Sequence, residues 1–79
     1  MKFLDIKLIG HTCDEHNNGT RFFVKPNKIN KKARELKEIL LIMGGKYQVT
    51  DTYDKIDDDG NIIDGVIETN LPWEIYNNL

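Results

Sequence analysis

Cysteine occurs once, at position 13, in a chain of 79 residues. A single thiol excludes an internal disulfide framework, and it sets a reducing compartment, the cytoplasm, as the expected setting. Long apolar runs are also missing. The longest, Ile39 to Met43, falls far short of the roughly 20 residues needed to cross a bilayer, so no membrane partner is expected. No basic stretch followed by an apolar core and a small-residue cleavage site appears near Met1, which argues against export. Arginine is scarce, with Arg21 and Arg34 against nine lysines, and no aromatic residue interrupts the lysine-rich tract from Lys28 to Lys37. That weakens any case for reading nucleic-acid bases. Internal repeats, linkers and low-complexity segments are absent, which leaves one domain spanning residues 1–79. At this length a single core is possible and a cleft between domains is not.

What is present is charge, unevenly placed. Met1 to Tyr47 carries ten basic and five acidic residues, a net of +5, whereas Gln48 to Leu79 carries one basic and eight acidic, a net of −7. The overall charge of −2 therefore hides a dipolar chain. Like charges concentrated this way repel one another, so they point to electrostatic recognition of a partner.

Apolar periodicity outlines the fold. Lys2 to Ile9 alternates with Leu4, Ile6 and Leu8 on one side, the period of a half-buried strand. A polar stretch from Gly10 to Thr20 follows. Its Asn17-Asn18-Gly19 favours a tight turn, and Arg21 to Lys25 reads as a second strand stopped by Pro26. This predicts a hairpin whose turn end carries His11 to His16. Ile29, Ala33, Leu36, Leu40 and Met43 share one stripe of a helix from about Lys28 to Met43, with Asn27 or Asn30 as its cap and Gly44-Gly45 as its stop. Leu41 and Ile42 lie off that stripe, so something other than a single amphipathic contact must cover them. A homodimer through these two residues is one solution, and Trp73 and Tyr76 on a short helix from Pro72 to Asn78 are another. Lys46 to Ile56 and Asn61 to Asn70 predict a second hairpin around Asp57-Asp58-Asp59-Gly60. Tyr53, Ile56, Ile62, Ile63, Val66 and Ile67 do not keep one parity, which calls for a bulge or for cover on both sheet faces. The expected fold class is α+β, a small single domain of ββαββ order, with one antiparallel sheet packed on one amphipathic helix and a short C-terminal helical turn.

Three sets of residues are candidates for function. Asp51, Asp54, Asp57, Asp58, Asp59, Asp64 and Glu68 fall within eighteen residues, opposed only by Lys55. Carboxylates on adjacent strands resemble a phosphate backbone in spacing and suit a basic groove made for nucleic acid. Lys28, Lys31, Lys32, Arg34 and Lys37 give an alternative, a nucleic-acid-binding helix. His11, Cys13 and His16 combine zinc-ligand types, but their spacing matches no standard zinc pattern. Asp57-x-Asp59-Gly60 resembles part of a calcium loop, yet the loop's first and twelfth positions would be Lys55 and Val66, where carboxylates are needed. No cofactor and no catalytic site is expected, because no carboxylate pair sits where one pKa would be split from the other. The leading expectation is a non-enzymatic protein-binding domain acting as an inhibitor through an acidic hairpin. In size, charge and Asn-, Ile- and Lys-rich composition the chain looks like the small proteins that phages encode against host defences, anti-CRISPR proteins and DNA mimics among them.

Overall fold

The computed structural model describes residues 12–16 and 19–78. In order along the chain come β1 (Thr12–His16), β2 (Gly19–Val24), a 3-10 turn (Pro26–Lys28), α1 (Ile29–Ile42), β3 (Val49–Ile56), β4 (Ile62–Thr69) and α2 (Trp73–Asn77). The strands form one antiparallel sheet in the order β1-β2-β4-β3, with α1 against one face. The ββαββ order and the α+β class are as the sequence predicts.

The first hairpin is placed differently. The strand expected over residues 2–9 lies outside the described residues. Residues 12–16, expected as a polar hairpin end, are themselves strand β1, which pairs with β2 from Thr12↔Phe23 to His16↔Gly19. The segment Thr-Cys-Asp-Glu-His has almost no apolar signal, and Cys13 packs toward the core. Pairing is supported instead by Asp14, whose two carboxylate oxygens accept from Arg21 Nε and Nη2 at 2.9 and 2.8 Å.

Alternation along β2 puts Thr20, Phe22 and Val24 inward, where Phe22, Val24 and Ile67 meet Ala33, Leu36, Ile39 and Leu40 of α1. Across the sheet, Cys13, Phe22, Ile67 and Thr52 form one inward row. Gly65 lets α1 approach. A Cβ there would overlap Ile29 Cγ1 and lie 2.6 Å from Ile29 Cδ1 and 3.3 Å from Pro26 Cα. The buried polar groups are satisfied: the Thr20 and Thr69 hydroxyls lie 2.6 Å apart, and Thr69 Oγ1 accepts the Leu71 N–H at 3.1 Å.

Neither Asn27 nor Asn30 caps α1. The helix is entered through the 3-10 turn, where Pro26 supplies a fixed φ, Lys28 N–H donates to Lys25 O at 2.8 Å and Ile29 N–H donates to Pro26 O. Its C-terminus closes as predicted, with Gly44 and Gly45 at φ 115° and 71°. Their N–H groups return to Leu41 O and Leu40 O, the paired bonds of a Schellman stop. Leu41 and Ile42 stay exposed, at 72% and 55%. Trp73 and Tyr76 do not cover them. Tyr76 stacks edge-on against Phe22 with centroids 5.3 Å apart, and Trp73 stacks on Tyr76, so α2 closes the β1–β2 side of the core.

Both explanations for the irregular second hairpin hold at once. Register shifts fall between Val49 and Asp51 and between Lys55 and Ile56, so regular pairing with β4 is confined to Asp51–Lys55. Val66 is buried on the face away from α1, in register between Phe23 and Tyr53.

Candidate functional site

The β3–β4 hairpin carries all seven predicted acidic positions, but it distributes them over different surfaces. A row across the face away from α1 runs Asp14, Arg21, Glu68 and Asp51, so a cation stands among the carboxylates. Glu68 Oε2 accepts the Tyr53 hydroxyl at 2.6 Å, and that bond, above all, pushes the phenol above its ordinary value. Arg21, gripped by Asp14, is held more firmly protonated than usual. Asp64 stands directly opposite Lys55. Asp54, opposite Gly65, belongs to the other face, where it lines a groove with Pro26, Asn27, Asn30 and Thr52.

The turn spends one carboxylate on its own geometry. Asp57 Oδ1 accepts backbone N–H groups from Asn61 and Asp59, each at 2.9 Å, and these bonds, that of Asn61 first, hold the Asp57 carboxyl below its ordinary value. Gly60 sits at φ 83° and closes the loop by donating to Asp57 O. The loop is therefore a hairpin turn built on an Asx motif, with an internal use for the carboxylate that most resembles a calcium ligand.

Asp58 and Asp59 remain at the tip, exposed, close in sequence to three apolar side chains. Ile56, Ile62 and Ile63 are 60%, 54% and 49% exposed. Ile56 and Ile62, opposite each other in register, and the adjacent Ile63 leave apolar surface open to water near these two carboxylates. The broken parity of Ile62 and Ile63 was the signal for them in the sequence.

The alternative sites are placed as follows. Lys28 is exposed at the end of the 3-10 turn, Lys31, Arg34 and Lys37 are exposed on α1, and Lys32 makes an ion pair with Glu35 at 3.4 Å. Arg34 and Lys37 line a shallow groove with Asn30, Ala33 and Thr52 of β3. Of the zinc-type residues, His11 lies outside the described residues, and no group of three His, Cys, Asp or Glu is gathered among the described ones. Burial and the neighbouring Asp14 push the Cys13 thiol up to about 11, which disfavours the thiolate a metal needs. Phe23 is flanked by Arg21 and Lys55 at 5.3 and 5.4 Å from its ring centre. Phe22 is core. Among the described residues no helix is long and apolar enough to cross a membrane.

No family model, curated protein or solved structure matches this chain.

Proposed function

We propose that the chain is a non-enzymatic interaction protein that engages a cationic, partly apolar surface on a protein partner through the tip of the β3–β4 hairpin. The observation that carries this reading is the exposure of Ile56, Ile62 and Ile63 next to Asp58 and Asp59. The isoleucines supply the desolvation that sets affinity, and the carboxylates steer the encounter and select a basic site. A groove that otherwise holds nucleic acid offers such a surface, so the expected mode of action is competitive inhibition by occupancy. A host nucleic-acid-handling defence protein is a partner of that kind.

The test replaces Asp57, Asp58 and Asp59 together with Asn. An Asn at position 57 still presents a side-chain oxygen to the backbone of residues 59 and 61, so the turn is kept while three charges go. The variant should keep the circular-dichroism spectrum and bind its captured partner more weakly, and the wild-type affinity should fall as salt rises. Affinity that is indifferent to both changes contradicts the proposal.

A second reading rests on Arg34 and Lys37 beside Asn30 and Thr52, which gives a cationic groove for a nucleic-acid strand. It predicts a steep loss of DNA or RNA affinity with salt, and the absence of a mobility shift at low ionic strength removes it.

A further inference from the structure

From the charge pattern along the free edge of β3, we infer that two copies of this chain pair through that strand, antiparallel and centred on Tyr53. Among the described residues β3 is the edge of the sheet, and every one of its residues from Thr50 to Ile56 is exposed. Alternate backbone N–H and C=O groups of such a strand point away from β4 and are open to another strand. The regular stretch, Asp51–Lys55, is bounded by a register shift at each end, and its midpoint is Tyr53.

Two-fold pairing of a strand with itself must set residues of the same sheet face opposite one another, so the centre falls on a residue. Centred on Asp51 or Asp54, the pairing sets that carboxylate against its own copy. Centred on Thr52, it leaves Asp51 facing Tyr53 and Lys55 facing Val49. Only Tyr53 as the centre places Asp51 opposite Lys55 of the second copy, twice. That contact answers a deficit within the monomer, where Asp51 stands directly opposite Glu68. On the α1 side the same register brings Asp54 of the second copy opposite Thr52, beside Arg34 and Lys37. The four described strands of each copy then join in one continuous sheet with both α1 helices on the same face. The hairpin tips, with Asp58, Asp59 and the exposed isoleucines, lie outside the regular stretch and stay free, so the inference stands whether or not the tip binds a partner.

Sedimentation velocity across a concentration series tests the pairing. The wild type should move from a 9.2 kDa monomer toward twice that mass as concentration rises. Asp51→Lys sets like charges opposite each other at both ends of the pair, and so does Lys55→Asp. Each should weaken self-association by about tenfold or more. Mixed together, the two variants should form a heterodimer, because a lysine at position 51 then faces an aspartate at position 55 and the native Lys55 faces the native Asp51. Asp54→Lys, which brings a cation toward Arg34 and Lys37 of the second copy, is an independent variant and should also weaken pairing. A wild type that remains monomeric at every concentration overturns the inference, as do single variants that dimerise unaided. Loss of the dimer in Leu41→Ser/Ile42→Ser, with no effect of the charge reversals, moves the interface to the end of α1 and overturns it as well.

Discussion

β3 and β4 are neighbours in one hairpin, eight residues each, yet they do opposite work. β4 is paired on both sides and carries Val66 and Ile67, at 1% and 0% exposure, whereas β3, among the described residues, is paired on one side and exposes Tyr53 and Ile56 at 38% and 60%. Composition alone does not separate them, since both carry acidic residues and β-branched or aromatic side chains. Position in the sheet does. The buried side chains of α1 pack with Phe22 and Val24 of β2 and Ile67 of β4, so β4 receives a helix on one face and the Phe23–Val66–Tyr53 row on the other, whereas β3 runs close to α1 but keeps its side chains from Thr50 to Ile56 exposed.

Substitutions should sharpen this contrast. Ile67→Ala removes a wholly buried side chain from the centre of the core and should cost about 3 to 4 kcal/mol in chemical denaturation. Gly65→Ala, one strand position from Val66, drives a methyl group into Ile29 and should cost about 1 to 3 kcal/mol. Thr69→Val leaves the Leu71 N–H without its acceptor and the Thr20 hydroxyl without its partner, for a loss of about 1 to 3 kcal/mol. The matched change in β3, Thr52→Val at an exposed site, should stay within about 0.5 kcal/mol of the wild type. If Thr52→Val proved as costly as Thr69→Val, the division between the strands would fail.

The smallest effect belongs to the turn. Asp57 is held below its ordinary value in the folded state, so its contribution is present above the unfolded-state pKa and is lost as pH falls through the lower, folded value. Protection of the Asn61 and Asp59 amides, measured against their intrinsic exchange rates, should therefore fall in acid, below the ordinary carboxylate range. Asp57→Ala should remove that pH dependence and quicken the exchange already at neutral pH.

Much of this architecture was legible in the sequence, for identifiable reasons. The α1 stripe and the Gly44-Gly45 stop were readable because a repeat of about 3.6 residues and two glycines at positive φ are local features. Asp57-Asp58-Asp59-Gly60 declared its turn for the same reason. β1 was hidden because its support is a side-chain pair, Asp14 with Arg21, and no apolar alternation marks it. The entry to α1 was misread because Pro26 and a 3-10 turn do what Asn27 or Asn30 was expected to do. Within the candidate site, the carboxylates were visible as a group, but their division between faces depends on strand register. Asp54 falls on the α1 side, Asp51 and Glu68 on the other, and Asp57 is turned into its own loop. The two bulges that set this register leave only broken parity in the sequence. That broken parity was also the trace of the exposed Ile56, Ile62 and Ile63.

The most direct measurement is partner retention by an Ile62→Ser/Ile63→Ser protein whose melting temperature matches the wild type. The account predicts that the partner captured by the wild type is lost from this variant while the fold persists. Full retention by a folded variant would contradict it.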